Sequence, residues 1–258
     1  MIEPLYSLAG VLVGLLVGLT GVGGGSLMTP LLVLMFGFHP ATAVGTDLLY
    51  AAATKTAGTA VHGRHGTVDW RVVLRLGSGS VPAAITTLTA LSLANWRAEG
   101  MGNLIATILG FALIATAIAV FFREAIVGRL APYFSGADER RIARLTVALG
   151  AVLGVLVSLT SVGAGALGMT ALLILYPQLP VARLVGSDIA HAVPLTLIAG
   201  LGHLAIGSVD PWLLASLLLG SVPGIIIGSL IATRVSDRVL APVLAVTLAI
   251  VGWRLLAS

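Results

Sequence analysis

The sequence contains no cysteine, and only 9% of its 258 residues are charged. Without thiols there is no disulfide, no thiolate metal site and no cysteine relay. So little charge excludes an ordinary soluble domain, in which about 25% of residues are charged. Two signatures are also missing. There is no G-x-x-x-x-G-K-[ST] loop and no H-E-x-x-H pair, so neither nucleotide hydrolysis nor zinc-peptidase chemistry is expected. No Ser/His nucleophile pair stands at a recognisable spacing, and an intramembrane enzyme is not the expectation. Met1–Leu5 carry Glu3 but no basic residue. A cleaved signal peptide needs a basic n-region, so the N-terminus is expected to belong to the mature fold.

What is abundant is apolar: 58% of the residues are hydrophobic and 32 are glycine. Apolar stretches of about 16–21 residues recur along the chain, against the ~20 that a membrane helix needs. The composition implies an all-α polytopic membrane protein with about 8–10 membrane segments. The isoelectric point is about 10.1. The arginines lie between apolar spans, which positive-inside topology explains, and no nucleic-acid partner is expected.

Two glycine-rich stretches interrupt the apolar runs. Leu19–Pro30 reads LTGVGGGSLMTP, and Leu159–Thr170 reads LTSVGAGALGMT. Glycine costs roughly 1 kcal/mol in a helix interior relative to alanine. The clusters Gly21, Gly23, Gly24, Gly25 and Gly163, Gly165, Gly168 should therefore break helices and leave bare backbone. Within a membrane such backbone is tolerated only where it faces protein or a watered cavity.

The rest of the chain repeats around these breaks. GTDLLYA (Gly45–Ala51) matches GSDIAHA (Gly186–Ala192), His62 matches His203, GTVD (Gly66–Asp69) matches GSVD (Gly207–Asp210), and GSVP at Gly79–Pro82 recurs at Gly220–Pro223, all at an offset of 140–141. Five segments are expected in residues 1–122: Leu5–Thr20, Ser26–Phe36, Ala41–Val61, Val72–Ser92 and Leu104–Phe122. A cytoplasmic linker, 123–144, follows. Residues 145–258 hold Leu145–Thr160, Ala166–Tyr176, Ala182–Leu204, Trp212–Ala232 and Val239–Leu256. The second segment of each half covers only ~16 Å, about half of a hydrocarbon core, so it reads as the return arm of a Gly-broken helical hairpin. Charge favours inverted halves. Inversion gathers Arg64, Arg71, Arg75, Arg123, Arg129, Arg140, Arg141, Arg144, Arg183, Arg234 and Arg238 on one face and leaves Arg97 and Arg254 on the other.

Asp47 and Asp188 lie roughly 10 Å into their segments. An intramembrane carboxylate is a functional candidate by default, although Thr46–Asp47 and Ser187–Asp188 can also cap free amides of the breaks. Lys55, the sole lysine, must pair with a carboxylate, meet an anion or snorkel to the surface. His62 and His203 end their segments and can titrate, or simply bond to backbone at a helix end. His62, Arg64 and His65 lack a second carboxylate, and no metal site or cofactor is expected. The half-helices beginning at Ser26 and Ala166 offer free amides and positive dipole ends, which suit an oxyanion. Gly23, Gly24, Gly25, Ser26, Thr46, Gly163, Gly165 and Ser187 are the candidate substrate-binding residues; Asp47, Lys55, Asp188, His62 and His203 are the candidate charge-coupling ones. Gly220, Gly224 and Gly228, four residues apart, read instead as a helix-packing stripe. Pro82 and Pro223 are mid-helix hinges or static bends.

The run GLTGVGGGSLMTPLLVLMFGFHPATAVGTDLLYAAATKTAGTAVHGRHGTVDW resembles the TauE/SafE (sulfite exporter, TSUP) family of membrane transporters, above all in Gly21–Pro30, Pro40, Gly45–Asp47 and His62–Asp69. The second copy departs from it: Ser161 stands for Gly21 and Ala164 for Gly24. The resemblance covers essentially the whole chain. It implies a secondary transporter of the bacterial inner membrane that exports small sulfur-containing anions such as sulfite, sulfoacetate or other organosulfonates. The alternatives are an anion channel, or a membrane accessory protein without coupled transport. Partners are the anionic substrate, the bilayer and protons; the sequence leaves the oligomeric state open.

Overall fold

The computed structural model describes residues 3–20, 25–64, 66–94, 99–232 and 237–257. Among these there are eleven α-helices and no strand. The first half supplies α1 (Pro4–Thr20), α2 (Gly25–Leu34), α3 (Pro40–Arg64), α4 (Trp70–Leu93) and α5 (Glu99–Phe121). A short α6 (Arg123–Leu130) and a 3₁₀ turn (Ala131–Phe134) lead to α7 (Glu139–Thr160), α8 (Ala166–Leu175), α9 (Val181–Ala205), α10 (Pro211–Ala232) and α11 (Asp237–Ala257). Four helices are long and apolar enough to cross a membrane over their described residues: Trp70–Leu93, Gly102–Phe121, Glu139–Thr160 and Val181–Ala205. With 10 residues each, α2 and α8 reach only about 15 Å.

The stretch expected as a polar linker is itself structured. Its last turns extend α7 back to Glu139, so that Arg140, Arg141 and Arg144 lie on helix rather than loop. Glycine also sits differently from expectation at one position: Gly168 lies inside α8, and the interruption itself is Ser161–Gly165.

Packing follows the repeat. Helix α1 lies along α10, and its counterpart α7 lies along α4, while α3 pairs with α9 and α5 with α11. Both exchanged pairs use the same device. A Cβ on Gly220 would overlap the Ser7 carbonyl, and one on Gly10 the Leu217 carbonyl. In the other pair, Gly79 meets the Val147 carbonyl and Gly150 the Leu76 carbonyl. Only glycine permits such approach of two backbones, and small residues are how membrane helices gain packing contact. Gly224, against Val11 in α10–α1, belongs to the same stripe.

Two further ties cross between the halves. The Ser187 hydroxyl accepts the Asp69 amide at 2.8 Å, and the Thr46 hydroxyl accepts the Asp210 amide at 3.2 Å. Asp69 and Asp210 then cap α4 and α10, each accepting from the amides of the second and third residues of its helix. A side-chain N-cap is worth about 1 kcal/mol. The repeated GTVD and GSVD loops are thus helix starts seated on the other half.

Candidate functional site

Helices α3 and α9 pack against each other and carry the buried aspartates and histidines of the described residues, Asp47, Asp188, His191 and His203. A helix bearing Thr46, Asp47 and Lys55 is poorly suited to lipid, and enclosure by neighbours is what makes it tolerable. Asp47 is fully buried. One of its oxygens, Oδ2, accepts the Thr29 hydroxyl of α2 at 2.5 Å. The other, Oδ1, has no hydrogen-bond partner. Asp188 is likewise buried with an unpartnered Oδ1. Its carboxylate lies over Gly168, where an added Cβ would stand 2.7 Å from that oxygen. Gly168 thus serves as the floor beneath Asp188.

The interruption between α7 and α8 completes the site. Ser161 closes α7 with a left-handed backbone, φ 60°, and is the only non-glycine with positive φ among the described residues. Gly163 and Gly165 follow at φ 117° and 155°, conformations that side chains resist. Gly165 caps α8 without any side-chain bond. The Ser161 hydroxyl, buried and without a hydrogen-bond partner, lies beside the Asp47 carboxylate. Lys55, half-buried, reaches across from α3 and donates from Nζ to the Ala164 carbonyl at 2.7 Å. The ammonium acts electrostatically on both Asp188 and Asp47, yet it forms no ion pair with either within 4.0 Å among the described residues. Lys55 and the two carboxylates therefore share the centre without a close ion pair among the described residues, and Arg123 adds a second cation that acts on Asp188.

Other expected residues fall elsewhere. His203 has both ring nitrogens engaged, Nδ1 with the Ser208 hydroxyl at 2.8 Å and Nε2 with the Ser158 carbonyl at 2.9 Å. His62 repeats the first contact, Nδ1 to Thr67 at 2.9 Å. The two rings fasten the ends of α3 and α9 to the loops that follow. Gly25 and Ser26 open α2. Gly23, Gly24 and His65 lie outside the described residues.

Several residues of the site were not singled out from sequence: Thr29, Ser161, Tyr50 and His191. Tyr50 and His191 occupy matching places, three residues beyond Asp47 and Asp188. Both are fully buried. The signal was present in GTDLLYA and GSDIAHA, whose sixth positions differ while both remain polar rings.

The molecule is thus a multi-pass helical membrane protein with buried carboxylates beside a glycine-interrupted segment. Residues 6–255 match the family model for the sulfite exporter TauE/SafE, and the chain belongs to that family. It is 40% identical to the probable membrane transporter protein YjnA of Bacillus subtilis (strain 168), over 85% of this chain and 86% of the relative. It is 27% identical to the probable membrane transporter protein YdhB of the same organism, over 83% of each. A probable membrane transporter protein of Xylella fastidiosa (strain 9a5c) is 29% identical over 46% of this chain and 44% of its own length. No solved structure matches the chain. Members of the family are membrane transporters rather than enzymes.

Proposed function

We propose that this protein is a secondary transporter that exports small sulfur-containing anions, sulfite or organosulfonates such as sulfoacetate, across the bacterial inner membrane. The observation that carries this reading is the convergence of Lys55, Asp47 and Asp188 on the interrupted backbone between α7 and α8. An oxyanion needs a cation and free amides, and the site supplies Lys55 and the uncapped start of α8. Gly163 and Gly165 lie in the interruption between α7 and α8, and Gly25 and Ser26 open α2; Gly23 and Gly24 are assigned to the first interruption by sequence alone. Thr46 and Ser187, each next to one of the aspartates, accept the Asp210 and Asp69 amides in this structure and would reach the substrate only by releasing them. Asp47 and Asp188 carry the coupled protons, because each can be neutralised in turn as the site opens.

The halves are inverted relative to each other, with α1–α2 and α7–α8 as broken hairpins. The exchanged pairing of α1 with α10 and α7 with α4 supports a two-fold relation, and the arginine distribution supports its inversion. The face bearing α6 is then cytoplasmic. Alternating access follows from rocking of one half against the other about the shared centre.

Purified protein in proteoliposomes tests this directly. Sulfite or sulfoacetate flux should saturate and should accelerate when a pH gradient is imposed. Asp47→Asn should flatten that response while leaving the protein folded. Flux that is linear in concentration and indifferent to the gradient would sink the coupled-carrier reading.

A further inference from the structure

We propose that His191 contacts the transported anion, its Nδ1 edge and the Lys55 ammonium forming a two-donor seat for the substrate oxygens, with Ser80 as the residue that positions the ring. The inference rests on the anion-transport reading and names a recognition residue within it.

His191 lies on α9 three residues after Asp188, so the two side chains occupy one helix face, a turn apart. It is fully buried. Its Nε2 is 2.8 Å from the Ser80 hydroxyl of α4, whereas Nδ1 is buried with no partner at all. A buried unpartnered ring nitrogen costs free energy unless something else meets it. On the same face Asp188 Oδ1 is also unpartnered. Lys55 acts electrostatically on both His191 and Asp188. It spends one of its three N–H groups on the Ala164 carbonyl, leaving two for a ligand. The Ser80 contact fits either tautomer; in the one that the seat requires, the hydroxyl donates to Nε2, so that the ring proton resides on Nδ1 and that edge can serve as a donor. Ser80 itself cannot drift: a Cβ on Gly154 of α7 would overlap its carbonyl, so the α4–α7 crossing pins its backbone.

The first half carries a related arrangement with another ring. Tyr50 stands three residues after Asp47, its buried hydroxyl is unpartnered, and it lies beside Ser221, the residue that matches Ser80. An Asp-x-x-ring beside the serine of a GSVP run within a helix therefore occurs twice. Only the second ring can present an N–H beside Lys55.

A tether between α9 and α4 would also explain the Ser80 contact, and two substitutions separate the roles. Asn places its amide nitrogen near the Nδ1 position of the imidazole; Gln reaches towards Nε2. His191→Asn should therefore keep the site donor and lose Ser80, while His191→Gln should do the reverse. Sulfite KM in proteoliposomes is expected to rise about tenfold or more in His191→Gln and to stay within about threefold in His191→Asn, the size of one charge-assisted hydrogen bond. Ser80→Ala should raise KM with little change in Tm. If His191 is a tether, the order reverses, and His191→Asn is the variant that loses Tm while KM is unmoved in both. Should His191→Gln not be recovered folded, an unchanged KM in Ser80→Ala overturns the proposal. Should the wild type carry neither sulfite nor sulfoacetate, the transport reading fails separately. The seat is then read by the Tm shift that sulfite, sulfate and phosphate induce in purified protein. A shift no greater than chloride gives, or one that His191→Gln leaves intact, would also overturn the assignment.

Discussion

The two halves of this molecule share a frame and differ in what they aim into the centre. Each half makes a glycine crossing with the other, at Gly220 and at Gly79. A histidine clasps the loop after each central helix, and an aspartate caps the helix that follows. The lining is not shared. Lys55 faces the break from α3, whereas its match in α9 is Thr196, whose hydroxyl donates to its own helix at Ala192. Asp47 receives a hydroxyl from Thr29 of α2, while Thr170 of α8 donates to the Ala166 carbonyl instead. Tyr50 corresponds to His191 and Gly21 to Ser161. Backbone contacts tolerate almost no side-chain change, so duplication preserves them; the centre tolerates change as long as each charge finds compensation. The result is a near-symmetric scaffold around an asymmetric charge arrangement, which lets two carboxylates of identical position play different parts.

The largest effects should come from the shared frame, and they should be equal. Gly220→Val and Gly79→Val each push a side chain into an opposing carbonyl. Overpacking of this kind costs about 3 kcal/mol or more where backbone cannot retreat. Both variants should fail to give monodisperse protein after detergent extraction. Gly77→Ala, in the same helix as Gly79 but with nothing within 4 Å of the added Cβ, should be neutral or slightly stabilising. If Gly79→Val were recovered intact and Gly220→Val were not, the two crossings would not be equivalent, and the frame would have to be treated as two unlike interfaces.

Smaller in stability but larger in function is the contrast between Lys55 and Thr196. Lys55→Met removes the half-buried cation and its bond to Ala164 while keeping the length of the side chain. Anion flux in proteoliposomes should drop about 10- to 100-fold, the range for loss of a charged hydrogen bond. Thr196→Val should change flux by less than about threefold, because the hydroxyl it removes only back-bonds within α9. Equal damage from the two would show that the centre is functionally symmetric after all.

Much of this was legible beforehand because charge in an apolar chain is conspicuous. Asp47, Asp188 and Lys55 stand out as charges within apolar segments, and the constant offset places the two aspartates in matching segments. Hydropathy was less informative at segment ends. It finds Leu145–Thr160 but not the turns of α7 from Glu139, which carry arginines and reach towards water. It likewise starts the fifth segment at Leu104, where α5 begins at Glu99. The neutral polar members of the centre were missed for a different reason. Ser161, Thr29, Tyr50 and His191 are unremarkable one at a time, and only the fold reveals that their hydroxyls and ring nitrogens face carboxylates or lack partners. Histidine attracted attention at His62 and His203, where repetition marked it, yet those rings hold loops. The informative histidine was the one whose repeat partner had become tyrosine.

The subtlest difference between the halves is Ser161, and it offers the finest test. A serine at φ 60° stores roughly 1 kcal/mol of backbone strain that glycine would not, and the first half has glycine at the matching place. Ser161→Gly makes the second interruption resemble the first. If serine were there for stability, the change would lower Tm. We expect the opposite, a small rise in Tm, because the left-handed backbone is relieved by an amount that exceeds the extra chain entropy of glycine. Flux should nevertheless fall a few-fold, since the hydroxyl beside Asp47 is lost, and the pH dependence of flux should move as that carboxylate loses a neighbour. A variant that gains Tm and transports unchanged, with the same pH profile, would reduce Ser161 to a neutral relic of divergence and leave Lys55 and His191 as the residues that distinguish the two halves.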